Sequence, residues 1–530
     1  MSTPFDAIVI GAGINGLVAS ATLGRAGLRV LLVDRGAATG GEARAMQFAE
    51  GYRAAPLTLD FGWLPPAVAS GIGLDTRGSF ASSEIASAVT LGDGQWLTLP
   101  RDAARAAQAI RPFSARDADR WPGFTTRLAR IAGFLEALYQ LPAPDIDTTS
   151  VHEILPLLGV AGKLRRLGRD DMIELLRILP MAIQELVDDT FESEPLKAAI
   201  AAAGIQDIRQ GPRSGGTTFV LLHHLVGADA GSIRGRPAWT KGPNALANAI
   251  EDAARGAKVT IRAVTDVARI TVVDERVTGI VLGSGEEISA PVVLSTLDPA
   301  RTLLGLVDPV WLDPEFLQAV KNIKFRGCRA TALFALDGLP EQAWGDGVVS
   351  LTPDTLTLER AYDAAKYGQV SERPHVEFAV PTLRWPDLAP HGKHVVVAHV
   401  QYVPYQQAVN NEQSTAARDD LADTVTRLID EAVPGFAARV RHRVCNTPND
   451  LEHRFGITEG AVTHGELTLD QILFMRPVPG WGRHEMPIAG LYLGGVGTHP
   501  GPGVLGGPGW LAAKRVLAGR KKARAVNGKQ

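Results

Sequence analysis

The sequence predicts an α/β fold, a parallel Rossmann-like sheet interwoven with a second, α+β unit. Three observations carry this expectation. Residues 6–44 read as strand, glycine-rich turn, helix, strand and acid in succession. A series of strand-like segments over 258–296 leads the chain back toward that first unit. A strand entering a glycine-rich loop, from Gly490 onward, brings it back once more before a closing helix.

In the first unit, Ala7-Ile8-Val9-Ile10 is an unbroken apolar run, as in a strand buried on both faces. Gly11, Gly13 and Gly16 then supply G-x-G-x-x-G. Gly11 allows the tight turn, Gly13 lets a pyrophosphate approach the backbone, and Gly16 lets the next helix pack close to the strand. The small-residue helix over 17–27 points its N-terminal amides at the phosphates. The second strand, 29–33, ends on Asp34, placed for both ribose hydroxyls of an adenosine. An acid at that position favours FAD or NAD over a 2′-phosphorylated dinucleotide. Gly40-Gly41 mark a second close approach of the chain to the cofactor.

Composition sets bounds. A chain of 530 residues with 45% hydrophobic and 21% charged residues suits several compact units with ample core. A net charge of −3 gives no electrostatic case for nucleic acid. Cys328 and Cys445 are the only cysteines and lie far apart in sequence, which argues against a disulfide framework, a cysteine metal site or CxxC chemistry. No signal-like start and no run of ~18 apolar residues is present, so the expectation is a cytoplasmic protein able to touch a membrane peripherally.

Past Gly41, the loop-rich stretch to about Leu74 would wrap the middle of the cofactor. A hairpin follows, 85–91 and 95–99 about Gly92-Asp93-Gly94. Helical spacing over 102–140 is interrupted at Pro112 and Pro122, and over 151–186 at Pro156 and Pro180. The apolar stripe of the second region (Leu155, Leu158, Leu164, Leu167, Leu175, Leu176, Ile178, Leu179) suits core, with a substrate channel or membrane face as the sharper reading. Another helical segment, 197–205, precedes the apolar stretch Phe219–Val220–Leu221–Leu222 that carries His223 and His224. Adjacent helical positions diverge by about 100°, so one shared metal is disfavoured and a pocket-lining histidine preferred. A helix over 244–255 leads into strands at 258–264, 267–273, 276–282 and 291–296. The second excursion, to about 480, alternates strands (330–336, 376–380, 394–400) with Pro- and Gly-rich loops and one long helix, 417–432. The expected division is a discontinuous dinucleotide domain (1–75, 240–302, 481–519), a substrate domain (76–239, 303–480, with its helical part at 102–226) and a solvated basic tail (520–530) containing Arg520, Lys521, Lys522 and Arg524.

The glycine pair after Asp34 resembles the FAD fingerprint of the flavoprotein amine oxidase and phytoene desaturase superfamily. The stretch Leu491-Tyr-Leu-Gly-Gly-Val-Gly-Thr-His-Pro-Gly-Pro-Gly-Val-Leu-Gly-Gly-Pro-Gly-Trp510 resembles the terminal flavin motif of phytoene desaturases, most specifically at Thr498-His499-Pro500-Gly501. Thr463-His464-Gly465-Glu466, Asp470-Gln471, Arg476-Pro477, Gly211-Pro212, His223-His224, Pro381-Thr382 and Pro390-His391-Gly392-Lys393 are similar to one branch, the pyridine nucleotide-disulfide oxidoreductase domain-containing flavoproteins. The resemblance implies an FAD-binding domain of glutathione-reductase/amine-oxidase type. It also implies cofactor contacts from Gly11, Gly13, Gly16, Asp34, Arg35, Gly41, Arg44, Val267, Gly495, Gly497, Gly503, Val504 and Leu505. Two departures stand out: Glu42 holds a place where the family often has arginine, and the ribityl-contacting acid expected near Val496 is absent.

The activity so implied is FAD-dependent desaturation, saturation or isomerisation of a hydrophobic, isoprenoid- or carotenoid-like molecule. Flavin amine oxidation and a non-catalytic flavoprotein scaffold are the alternatives. Oxygen or a quinone-type acceptor would remove the electrons, and oligomeric state is unassigned. His499, then His223 or His224, are the candidate catalytic residues, since neutral histidine can exchange a proton near pH 7.

Overall fold

The computed structural model describes residues 5–55, 59, 62–92, 94–143, 151–342, 344–405 and 411–527, with side chains excepted at 151–158, 411–414 and 522–527. Asp93 and the side chains of Leu155, Leu158, Lys522 and Arg524 therefore lie outside the described residues.

Five short parallel strands form the first sheet, in the order Leu491–Leu493, Val293–Ser295, Ala7–Ile10, Val30–Val33, Thr260–Arg262. Its strands are apolar at every position from 7 to 10 and from 30 to 33 because both faces are covered. One face packs Ala7, Val9, Val30 and Leu32 against helices Ile14–Arg25, Pro243–Gly256 and Gly507–Asn527. The other packs Ile8, Ile10, Leu31 and Val33 against an antiparallel three-stranded sheet, Val267–Val273, Arg276–Leu282 and Glu287–Ser289. Segments far apart in sequence thus share one sheet, and the glycine turn after Ile10 and the glycine loop after Leu493 emerge from the same edge of it.

The second sheet has seven strands, in the order Val440–Asn446, Arg329–Leu336, His394–Gln401, His375–Ala379, Val348–Ser350, Ile85–Gly92, Gln95–Pro100. One face is apolar (Ala330, Ala332, Phe334, Val376, Phe378, Val396, Ala398) and packs on the helix Asn411–Ala432 through Leu421, Val425 and Ile429. The helical region builds a separate core from Trp121, Leu128, Ile131, Leu175, Ile178, Leu186, Ile200, Leu221 and Leu222.

Three local expectations change. Pro122 does not break its helix, which runs from Ala115 to Tyr139. Burial of Ala118, Trp121 and Thr125 on the same face offsets the missing amide, a loss of about 3 kcal/mol in an exposed helix. Helix Val151–Arg166 likewise passes through Pro156, and the chain breaks at Leu167 instead, before left-handed Gly168. The terminal helix continues to Asn527 through the basic segment, because 520–527 holds no proline or glycine to stop it. The apolar stripe also resolves: Leu175 and Ile178 are core, whereas Leu176 and Ile173 face outward.

A glycine cradle, a terminal loop and a neutral histidine cluster

At the glycine turn, space decides residue type. Gly11 has φ +95°, and a Cβ on Gly16 would lie 1.8 Å from the Gly11 carbonyl oxygen, so no side chain fits. A Cβ on Gly13 would meet nothing within 4 Å, so the backbone there borders open space. Helix Ile14–Arg25 begins at Gly13 with no capping side chain and no acid in its first turn, leaving its amides for an anion. The Asp34 carboxylate accepts from Ala12 N (2.5 Å) and Gly36 N (2.6 Å), which fixes it beside the turn. Gly40 N donates to Ala12 O (2.7 Å), and a Cβ on Gly41 would lie 3.2 Å from Gly13 Cα. Both glycine motifs therefore line one cradle, and its open wall, free helix amides and fixed carboxylate fit a dinucleotide.

The remaining contacts expected near the adenosine end separate. Val267 is buried and opens a strand whose approach, Val264 and Thr265, donates to Gly36 O (3.0 Å) and Asp34 O (2.7 Å). Arg44 donates to Thr39 O (2.5 Å) and Asn248 Oδ1 (2.8 Å), tying the cradle to helix Pro243–Gly256. Arg35 turns away, donating to His453 O (3.3 Å) at the end of helix Pro448–Phe455.

The terminal loop docks on this cradle. Trp63 N donates to Gly503 O (2.8 Å) and Leu505 N to Trp63 O (2.7 Å), with Val504 paired opposite Trp63. Gly495 and Gly497 are required by crowding: their Cβ atoms would sit 2.3 Å from Thr296 O and 2.6 Å from Pro299 Cδ. Helix Gly507–Asn527 meets the first helix so closely that a Cβ on Gly509 would be 2.0 Å from Asn15 O. Two helix N-termini, at Ile14 and Gly507, thus stand side by side at the same edge of the sheet.

Behind the loop lies a buried cluster. His223 Nε2 donates to Pro502 O (2.8 Å), since a carbonyl can only accept. Its Nδ1 then accepts from the Tyr139 hydroxyl (2.7 Å). His499 Nε2 donates to Leu141 O (3.0 Å), with the Tyr139 ring 6.0 Å away, edge to face. Arg236 donates to Val226 O (2.7 Å) and to His223 O (3.5 Å) and abuts Gly503. Arg476, 1% exposed, donates to Thr463 O and to Gly465 O (2.8 Å), while its Nε and one Nη have no hydrogen-bond partner among the described residues. Burial pushes His223 down to about 3, His499 to about 4 and Arg476 to about 9. The histidines are therefore neutral at pH 7, holding loop and core together; as bases they are weak. His224, at 5.5 Å and nearly perpendicular to His223, is held neutral by burial as well.

Sequence reasoning missed Tyr139, Arg236 and the inner face of the second sheet. That face is polar and buried: Arg329, Thr331, Ser350, His375, Glu377, His399 and Gln401. Alternating strings such as His375-Val-Glu-Phe and His399-Val-Gln were the available signal. Arg234 pairs with Glu377, and Arg329 with Asp207 (2.5 Å). Burial raises the Glu42 carboxyl to about 7, with Arg329 opposing the rise and Asp207 adding to it, so the cradle's second turn faces this sheet.

Cys328 and Cys445 are free and buried, and burial pushes the Cys445 thiol up to about 12. No metal-ligating group of three acids, histidines or cysteines occurs among the described residues. No described helix is long and apolar enough to cross a membrane.

Comparison with known proteins agrees with this geometry. Residues 9–63 match the model of an NAD(P)-binding Rossmann-like domain. The chain is 33% identical to pyridine nucleotide-disulfide oxidoreductase domain-containing protein 2 of Rattus norvegicus, over 97% of this chain and 93% of that one. It is 23% identical to a neurosporene-forming phytoene desaturase of Cereibacter sphaeroides, over 97% and 93% of the two chains. Among solved structures, a putrescine oxidase triple mutant shares the fold at TM-score 0.59 and 13% identity, over 97% of this chain and 99% of that one. With the cradle and terminal loop in place, the chain belongs to the family of pyridine nucleotide-disulfide oxidoreductase domain-containing protein 2, oxidoreductases of flavoprotein amine oxidase type whose cofactor is FAD.

Proposed function

We propose that this FAD-dependent oxidoreductase forms, reduces or shifts carbon–carbon double bonds in a hydrophobic, isoprenoid-like molecule. The observation that carries the reading is the end-to-end likeness to a phytoene desaturase, which spans more than nine-tenths of both chains. FAD, when bound, supplies the hydride chemistry. Gly11, Gly13, Gly16, Gly41 and Asp34 bind and orient its adenosine diphosphate half, and the loop from Gly495 to Leu505 holds the other half. Arg35, exposed and bonded to His453 O, would serve only the outer edge of the adenosine site. His223, Tyr139 and Arg236 keep that loop seated and exclude water. The neutral, buried state of His223 and His499 suits removal of an activated allylic hydride, which needs no strong base. Where a double bond is formed, oxygen or a quinone-type acceptor would take up the two electrons removed. Contact of exposed Ile173 and Leu176 with a membrane surface would assist substrate delivery.

Anaerobic mixing of the yellow, FAD-loaded protein with phytoene and shorter isoprenoid alkenes, and in parallel with putrescine, tests this reading. Bleaching by an alkene is the expected result. Bleaching by the amine alone replaces the proposal with amine oxidation; no bleaching by any of them, together with no alkene saturated or isomerised, leaves a non-catalytic flavoprotein.

A further inference from the structure

Helix Gly168–Ile178 presents two different stripes. Asp171, Leu175 and Ile178 are buried against the core, whereas Arg169, Ile173 and Leu176, also spaced i, i+4 and i+7, share the outer side. Ile173 is 51% and Leu176 70% exposed, one helical turn apart. The preceding helix, Val151–Arg166, ends on Lys163, Arg165 and Arg166, and the chain breaks at Leu167 and left-handed Gly168 before Arg169. Four cations thus fall within seven residues, with no acid between them, beside two exposed aliphatic side chains.

Nearby basic residues are in a different condition. Along the next side of this helix runs a groove of about 510 Å³, walled by Arg120, Phe124, Arg127, Leu128, Arg177 and Ile178, and each of its guanidinium groups is engaged. Arg120 donates to Thr190 O (2.6 Å), Arg127 pairs with Asp171 (3.4 Å), and Arg177 pairs with Glu174 (2.9 Å) and Asp189 (3.1 Å). The side chains of Lys163, Arg165, Arg166 and Arg169 are exposed and have no hydrogen bond or ion pair among the described residues. A helix C-terminus attracts cations, which accounts for the first three; the same dipole disfavours Arg169, in the first turn of its helix.

An occupant of this surface must meet unpaired positive charge and exposed aliphatic carbon together. A second copy of the chain fails, because a twofold contact would set these cations against themselves. Nucleic acid fails as well: residues 163–176 offer no aromatic ring for a base to stack on, and Ile173 and Leu176 would gain nothing. A folded acidic partner would need about 800 Å² of fitted surface on this side, which two aliphatic side chains do not supply. A bilayer with anionic headgroups satisfies both demands, with phosphates for the cations and an acyl boundary for Ile173 and Leu176.

We propose that residues 163–176 dock this protein on an anionic lipid surface, with Lys163, Arg165, Arg166 and Arg169 on headgroup phosphates and Ile173 and Leu176 in the acyl boundary. The inference turns the apolar contact named above into a charge-selective one, and it holds whichever substrate bleaches the flavin. Asp171 ties this helix to Arg130 (2.5 Å). Nine residues on, about 14 Å along helix Ala115–Tyr139, Tyr139 bonds His223 beneath the terminal loop. Docking therefore holds that loop a short way from the lipid.

Co-sedimentation of the FAD-loaded protein with vesicles tests it, using phosphatidylcholine alone and phosphatidylcholine with about 30% phosphatidylglycerol, at about 0.1 and 0.5 M salt. Partition onto the anionic vesicles at least about tenfold stronger than onto the neutral ones is expected at low salt, falling at least about threefold at high salt. Arg166→Gln combined with Arg169→Gln should weaken anionic binding at least about tenfold, and Leu176→Gln about threefold or more, with FAD content unchanged. Equal partition onto both vesicles, no partition onto either, binding that salt does not weaken, or full retention by the double variant overturns the proposal. Tighter binding to single-stranded RNA than to anionic vesicles overturns it too, as does a dimer in solution that Leu176→Gln dissociates. If a variant fails to fold, the lipid and salt series in the unaltered protein decides by itself. Vesicle binding is read without turnover, so failure to bleach with alkenes and failure to bind lipid are separate results.

Discussion

Gly16 and Asp34 carry the sharpest consequences at the scale of single residues. A Cβ on Gly16 meets a backbone oxygen at 1.8 Å, and backbone cannot step aside as a side chain can. Gly16→Ala should therefore yield protein that emerges largely colourless and does not regain yellow colour on adding FAD. Retention of stoichiometric FAD by that variant would show that the first helix can shift without cost. Asp34→Ala removes the acceptor fixed by Ala12 N and Gly36 N. With about 1.5–3 kcal/mol for each charge-assisted bond, FAD affinity should fall at least about tenfold. An unchanged dissociation constant by flavin-fluorescence titration would remove Asp34 from the ribose contact. Both residues were legible in the sequence because geometry at a strand–turn–helix unit dictates residue type locally. Tyr139 was not, since its role comes from a bond to His223 that only the fold creates.

At the level of elements, the two faces of the second sheet differ: one is apolar core, and the other carries buried polar residues. Phe334 is fully buried on the apolar side, edge to face with Phe436 at 5.2 Å. Phe334→Ala should cost about 3–5 kcal/mol in denaturant unfolding while FAD content per folded molecule stays constant. A loss of FAD in step with the loss of stability would mean that the two sheets do not behave as separable layers. Hairpins and long helices of this region were readable from period and turn residues, as in Ile85–Gly92 with Gln95–Pro100. Strand Val440–Asn446 and helix Thr355–Lys366 were not. The first carries charged residues at an edge, and the second has an apolar moment diluted by alternating charge. Proline misled at Pro122 because tertiary burial of Ala118, Trp121 and Thr125 outweighed a local rule.

For the whole molecule, burial of neutral histidines makes acid stability a direct readout of the core. His223, His375 and His484 are pushed down to about 3, His464 and His499 to about 4. Each takes up a proton near pH 6.5 when unfolded but only near pH 3 or 4 when folded. The unfolded state thus binds more protons throughout that window, and stability falls as pH drops from 6.5. The slope approaches about 1.4 kcal/mol per pH unit for each histidine. Glu42, raised to about 7, opposes this between its unfolded value and 7, and burial shifts Glu377 and Glu466 upward in the same sense. Melting temperature should therefore decline steadily from pH 7 to pH 5. A flat profile would mean that these imidazoles are already charged or hydrated in the folded state.

The source of electrons is a property of the whole molecule too. The described residues contain one all-parallel sheet with a glycine fingerprint at its edge, and that cradle is the one proposed above for FAD. The remaining sheets are antiparallel or mixed, and the Gly283–Ser284–Gly285 turn closes a hairpin with no helix behind it. Among the described residues no second strand–turn–helix unit with a glycine fingerprint and a strand-end acid stands ready to hold a nicotinamide dinucleotide near the flavin. The two thiols are buried and protonated, so disulfide chemistry cannot relay electrons from such a donor either. NADH and NADPH should reduce the flavin slowly, by collision, and the organic substrate should be the effective donor. Stopped-flow mixing of anaerobic oxidised protein with micromolar NADH is the direct measurement. Full bleaching within one second would overturn this account and require a nucleotide site built from residues other than the cradle.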